Sequence, residues 1–296
     1  MTRIYGFEKL SKEMGHHPIF VTITCPSKYH NTFASSGDRN PKWDGSTPHD
    51  GQQYLNTTWQ RIRAEFNRLG IQPYGFRVAE PQHDGTPHWH MLLFLESEQV
   101  DDFKRVVIEY SLQEDGDEAG AIENRCDFKD IDYSRGSATG YIAKYVSKGI
   151  NGQNLDADLD GGSAPEAAQR IEAWASCWGI RQFQQIGAGS VTVWRELRRL
   201  KKLLGLTDNF KSIHTAADSG DWKEFVTLMG GVFCKRDEQV IRPLYQPKVD
   251  KESGELKQSW FDGTVTTALK GVRYMGQEII TREHEWRIEH SSERAA

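Results

Sequence analysis

Cysteine is scarce and scattered in this chain: Cys25, Cys126, Cys177 and Cys234 are all that 296 residues contain. None stands in a paired spacing, so the sequence offers no disulfide framework and no closed thiolate zinc set, and reduced thiols point to the cytoplasm. No apolar run reaches 18 residues, and no signal-peptide core opens the chain, so nothing points to the membrane or to export. An excess of positive charge is missing too. With 37 Lys and Arg against 42 Asp and Glu, the formal net charge is −5, which argues against a protein that coats nucleic acid indiscriminately. Any such contact must be local. The length suffices for a sizeable core and implies a main domain with an appendage.

What is present begins with a strand over Ile19–Cys25, followed by a polar insertion over 26–50 rich in Gly, Pro, Asn and Ser. The insertion is longer than a connector needs. Gln52–Leu69 has helical periodicity, with Tyr54, Leu55, Trp59, Ile62, Phe66 and Leu69 on its apolar face and Gly70 as its end. A helix over Ser97–Leu112, a strand over Ala121–Ile131, a Gly- and Asp-rich linker over 151–165, a helix over Glu166–Cys177 and a strand over Arg181–Ile186 follow. Farther on, helical patterns cover Phe210–Ala217 and Trp222–Leu228, and strand-like stretches cover Thr264–Tyr274 and Glu278–Ile288, where His284 and His290 read as surface residues. These elements imply an α+β fold with about five mostly antiparallel strands flanked by helices. The expected division is a main domain over 1–205 and an accessory C-terminal region over 206–296.

Chemistry enters between Tyr74 and Leu95. Two apolar stretches flank the turn-rich Pro81-Gln82-His83-Asp84-Gly85-Thr86-Pro87, the pattern of a hairpin. Alternation along a strand puts His88 and His90 on one face and Trp89 on the other, with Glu80 on the facing strand able to reach the histidines. Two imidazoles and a carboxylate would leave a divalent cation with open positions for substrate. The N/O set suits Mn, Mg or Zn, and Mg2+ or Mn2+ is the expected ion. Two surface histidines on an edge strand, or a structural zinc, would give the same pattern.

A second motif runs from Gly136 to Gly149. Ser137 or Thr139 is placed to start a helix and Gly149 to end it. Tyr141 and Tyr145 then fall on one face a turn apart, with Lys148 on the same face. Core packing is the plain explanation of two tyrosines at this spacing; nucleophilic phenols are the other. A free phenol is phenolate in only roughly one molecule in a thousand at neutral pH, a handicap of about 4 kcal/mol, which a metal-bound phosphate and a nearby ammonium would offset.

Cations gather locally in Arg195-Glu196-Leu197-Arg198-Arg199-Leu200-Lys201-Lys202. Trp194, Leu197, Leu200 and Leu204 recur at helical spacing there, so a helix is expected with Arg195, Arg198 and Arg199 outward, either as a DNA contact or as a solvated face. Lys144, Arg135 and Arg181 are further candidates for a single-stranded DNA path, with Trp43, Trp59 or Trp89 as stacking surfaces.

The stretches Phe20–Ser27, Tyr74–Leu95, Gly136–Lys148, Ile180–Gly187 and Val191–Leu200 together resemble the replication gene A endonucleases of temperate tailed phages and prophages. These belong to the HUH superfamily of rolling-circle initiators and relaxases. The resemblance is strong from about Arg3 to about Leu200 and looser beyond. It implies the HUH-type α+β fold and a metal held by His88, His90 and Glu80. It also implies a tyrosine nucleophile at Tyr141 or Tyr145, and nicking of a single-stranded replication origin through a covalent 5′-phosphotyrosine in the bacterial host cytoplasm. A host helicase and polymerase are the implied partners, with no membrane. Family members are typically much longer, with an additional N-terminal region, so a compact member or a catalytic fragment is expected.

Overall fold

The computed structural model describes residues 1–148, 164–187, 189–201, 205–250 and 253–283. They fall into two compact units, Met1–Gly187 and Ala188–Ala296.

The first unit starts with helix α1 (Thr2–Met14), which the sequence pattern did not predict. Ile4, Phe7 and Leu10 bury its inner face, and Gly15 closes it in the left-handed conformation, φ 68°. Strand β1 (His17–Ile23) follows, two residues ahead of the expected Ile19–Cys25. Helix α2 (Pro48–Leu69) is fixed at both ends. Thr47 and Asp50 form a reciprocal capping box ahead of Pro48, and Gly70 takes φ 73°, a cap worth about 1 kcal/mol. Leu69, expected on the buried face, is exposed in the last turn.

Strands β2 (Tyr74–Pro81) and β3 (Pro87–Leu95) form the hairpin, and helix α3 (Val100–Ser111) comes next. The expected strand over Ala121–Ile131 divides. Its first part is the helical turn α4 (Ala121–Asn124), and only β4 (Cys126–Asp130) is extended. The buried Arg125 between them explains the break, because its guanidinium donates to the carbonyls of Ser111, Glu114 and Asp115 at 3.2, 2.7 and 3.3 Å. Helices α5 (Ala138–Lys148) and α6 (Ala164–Cys177) and strand β5 (Phe183–Ile186) complete the unit. The linker expected over 151–165 falls, up to 163, outside the described residues.

The five strands form one antiparallel sheet in the order β4-β1-β3-β2-β5. Central β3 is buried on both faces, which is why Met91–Leu95 reads as an unbroken apolar run. On one face Ile19, Val21, Ile23, Trp89, Met91 and Leu93 meet Leu55, Ile62 and Phe66 of α2 and Phe103 of α3. The other face carries Phe20, Phe76 and the site histidines. There Phe7 of α1 packs edge-on to Tyr74 and tilted against Phe76, and α5 covers Phe20.

In the second unit, α7 (Val191–Leu197), α8 (Asp208–Ser219) and α9 (Trp222–Leu228) accompany an antiparallel sheet of β6 (Ile241–Pro247), β7 (Thr267–Tyr274) and β8 (Gln277–Ile280). Its core includes Trp194, Phe210, Trp222, Phe225 and Ile241. The long basic helix expected through Leu204 is shorter, ending at Leu197. The amides of Arg199 and Leu200 bond three residues back, to Glu196 and Leu197, and tighten the chain into a turn. Lys202–Leu204, His284 and His290 lie outside the described residues.

Candidate metal and tyrosine centre

The turn that joins β2 to β3 is built by its own polar groups. The amides of Gln82 and Gly85 donate to the Thr86 and Gln82 carbonyls, both at 2.9 Å, and Gly85 adopts φ 83°. This sets the register that places Glu80 opposite His88. The two histidine Nε2 atoms lie 3.1 Å apart, and Glu80 Oε2 lies 3.7 Å from His90 Nε2 and 3.9 Å from His88 Nε2. Glu80 and His90 are buried and His88 half-buried.

Three observations test whether these residues suit a cation. Glu80 Oε1 is buried with no hydrogen-bond partner, an acceptor that costs free energy unless a positive charge meets it. Two imidazole nitrogens about 3 Å apart match ligands each roughly 2.1 Å from one ion. The Nδ1 of His90 pairs with the Thr22 hydroxyl at 3.0 Å; donating to it leaves the Nε2 lone pair directed into the triad. The residues fit a divalent cation. His83 and Asp84, the nearest other donors, are turned to the insertion, where His83 pairs with Thr32 and Asp84 with His30.

Helix α5 brings the phenols to this face. Its first turn is held by the Gly140 amide donating to the Ser137 hydroxyl and the Thr139 amide to the buried Glu8 carboxylate, both at 2.9 Å. The Tyr145 ring lies 4.1 Å from the His90 ring and 5.1 Å from Phe20, while Tyr141 meets Phe20 edge-on at 4.7 Å. Burial, then the neighbouring Tyr141 and Glu80, pushes the Tyr145 phenol up to about 12, against the pull of Lys129. The Lys144 ammonium sits 4.8 Å from the Tyr141 ring centre and 4.7 Å from that of Tyr145. The side chain of Lys148 lies outside the described residues.

Two neighbours of this centre were not singled out by the sequence pattern. Thr22 pairs with His90 across strands. Lys129 stands opposite Phe20 on β4, beside the tyrosines, and its ammonium is pushed up by the Tyr141 phenol and by Asp127, 3.6 Å away. The alternation of Thr22 with apolar residues is visible in the sequence, whereas Lys129 lies between Phe128 and Asp130, and the proximity of both to the centre needs the strand order.

The remaining candidates are dispersed. Arg135 is exposed on the loop before α5, and Arg181 is exposed before β5, its carbonyl accepting from Arg77 at 2.6 Å. Arg195, Arg198 and Arg199 are exposed on and just after α7 in the second unit. Trp59 and Trp89 are buried and cannot stack on a base; Trp43 is half-buried and donates to the Ser46 carbonyl.

Residues 1–153 match the family model described as bacteriophage replication gene A protein (GPA). The chain belongs to this family. It is similar to the replication gene A protein of Escherichia phage 186, 43% identical over 97% of this chain and 42% of that protein. A probable replication protein P12 of Pseudoalteromonas phage PM2 is 43% identical over 82% of this chain and 38% of its own length. A probable replication endonuclease from a prophage-like region of Salmonella paratyphi A is 33% identical over 83% of this chain and 33% of its own. The chain thus spans about a third to two fifths of these relatives. No described helix is long and apolar enough to cross a membrane.

Proposed function

We propose that this member of the gene A family is a metal-dependent, site-specific endonuclease and transesterase that nicks single-stranded DNA at a phage replication origin. The observation that carries the reading is the packing of Tyr145 on His90, with Tyr141 one turn away: phenols stand over a histidine and carboxylate set fitted to a cation. The names of the relatives, a replication gene A protein and a probable replication endonuclease, support the same reading.

His88, His90 and Glu80 would hold the ion, Mg2+ or Mn2+. Bound there, it would supply Lewis-acid charge to the scissile phosphate. Thr22 fixes the His90 ring. Tyr141 or Tyr145 forms the new bond from its phenolic oxygen to phosphorus, while the bond from phosphorus to the 3′-oxygen breaks. The phenolic proton is given up to solvent and the departing oxygen takes one, leaving a 5′-phosphotyrosine and a free 3′-OH. Lys144 and Lys129 lower the cost of charge on the phenols, and Lys148 is a third candidate for that role. The 3′-OH primes synthesis by a host polymerase as a host helicase opens the duplex. The phosphotyrosine keeps the bond energy for rejoining, and the second tyrosine can cut the regenerated origin. Lys144, Arg181, Arg195, Arg198 and Arg199 serve as phosphate contacts, and Arg135 is a further DNA-binding residue. The host bacterial cytoplasm is the site of action. Residues 1–205 carry the nicking activity and 206–296 are accessory.

Incubation with single-stranded phage DNA and Mg2+ or Mn2+ tests this. A denaturant-resistant protein–DNA adduct, mapped to a tyrosine by mass spectrometry, is expected. Cleavage without an adduct would indicate a nuclease that activates water, and binding without cleavage a non-catalytic initiator.

A further inference from the structure

Tyr141 also forms part of the wall of a cavity of about 670 Å³, within the ~300–1,000 Å³ range of small-ligand sites. Lys129 and Asp130 of β4 line it, with Ile131, Asp132 and Arg135 of the following loop. Its charges are mixed, and this decides what it suits. Asp130 is already engaged, accepting from Lys104 at 3.0 and 3.1 Å and from His17 at 2.8 Å. The amides opening α5 are engaged as well, by Glu8 and Ser137, so the helix start has little to give an anion.

Arg135 remains, and so does Asp132 in part: its Oδ1 accepts from the Ser134 amide at 2.8 Å, which leaves Oδ2 and the second lone pair of Oδ1 to face the cavity. Both residues belong to one turn, closed by the Arg135 amide donating to the Asp132 carbonyl at 3.0 Å, and both side chains are exposed. A phosphate drawn to Arg135 would meet the Asp132 carboxylate and be repelled. A nucleobase carries donors and acceptors together and can satisfy both. Among the four bases, guanine alone sets two donors side by side, N1–H and the N2 amino group, as a carboxylate requires. Its O6 and N7 form the acceptor pair that a guanidinium reads. The Tyr141 ring and Ile131 supply flat and apolar wall for the base.

We propose that this cavity receives a guanine of single-stranded DNA beside the phosphate attacked by the tyrosines, with Asp132 accepting from N1–H and N2–H and Arg135 donating to O6 and N7. This rests on the nicking reading above and adds to it a base preference at the nick.

The test is titration of the full chain, in chelator, with dGMP, dAMP, dCMP, dTMP and abasic deoxyribose 5-phosphate at up to millimolar concentration, followed by amide NMR at Asp132 and Arg135. dGMP should bind about tenfold or more tighter than every other probe, and Asp132→Asn and Arg135→Gln should each abolish the difference without changing thermal stability. Equal responses to all five probes, or none at these amides, would overturn the proposal. Adduct formation on a randomised single-stranded library is read separately. Adducts with no guanine enrichment near the nick defeat the pocket and leave the nicking reading intact. A dGMP preference without any adduct does the reverse.

Discussion

The Tyr145 ring packs on the His90 imidazole at 4.1 Å between centroids, 34° from parallel. The side chain proposed to attack therefore packs directly on one of those proposed to hold a cation. Phe20 extends the stack, touching Tyr145 at 5.1 Å and Tyr141 at 4.7 Å. An apolar floor under two phenols fixes where their hydroxyls point while contributing no competing nucleophile.

Tyr141→Phe and Tyr145→Phe each delete one hydroxyl and keep the ring that packs on Phe20. Each single variant should still form some covalent adduct, because one phenol remains, but strand transfer between two origins should be lost. The double variant should form none. A denaturant-resistant adduct from the double variant, seen on a gel, would place the nucleophile elsewhere.

The triad makes a prediction that needs no DNA. His88→Ala or His90→Ala should abolish Mn2+ binding at this site in calorimetry while leaving the fold intact, and chelation should reproduce the loss of nicking. Glu80→Ala should weaken binding. Thr22→Val should lower affinity by about 10–100-fold through the His90 ring alone. An unchanged titration in the Glu80 variant would remove that carboxylate from the ligand set.

The pairs His88/His90 and Tyr141/Tyr145 could be read from the sequence because both depend on local periodicity, two residues in a strand and about 3.6 in a helix. Glu80 was within reach because its hairpin turn is short. Thr22 and Lys129 were not, since they meet the centre only through the pairing of β1 with β3 and β4, a tertiary fact. Helix α1 has apolar residues at helical spacing, Ile4, Phe7 and Leu10, but in a segment whose polar residues gave no second cue. The basic helix was extended too far because Leu200 and Leu204 continue the period, whereas burial of Leu197 ends the docked face.

The insertion over 26–50 should make stability sensitive to acid at a defined place. Asp84, in the turn before His88, has a fully buried side chain paired with His30 at 3.0 Å. Burial would raise its carboxyl, but hydrogen bonds from His30 and Thr86 outweigh that and hold it at about 2. An unfolded Asp titrates near 3.9, so the depressed value stabilises the fold by about 2–3 kcal/mol above pH 4, and this is lost as pH falls toward 2. Asp84→Asn should therefore be less stable than the wild type in urea at pH 5–7, with the gap closing between about pH 4 and 2. A gap independent of pH would mean that shape, not charge, holds the turn.

A last prediction concerns the cations after Trp194. Arg199 is the wrong probe, because it pairs with the buried Glu196 at 3.4 Å, a carboxylate also held by Arg282, so reversing its charge would damage the second unit. Arg195 and Arg198 are exposed with no acidic partner among the described ion pairs, and Arg198 stands 5.9 Å from the Trp194 ring. Arg195→Glu with Arg198→Glu should leave the unfolding temperature nearly unchanged. If both arginines touch phosphates, the slope of log affinity against log salt on single-stranded DNA should become shallower by about 0.7 for each phosphate no longer neutralised. Covalent adduct formation at saturating DNA should persist, since neither residue belongs to the tyrosine centre. An unchanged slope would take these two arginines out of the DNA path and leave Lys144, Arg135 and Arg181 to account for binding by a chain whose net charge is −5.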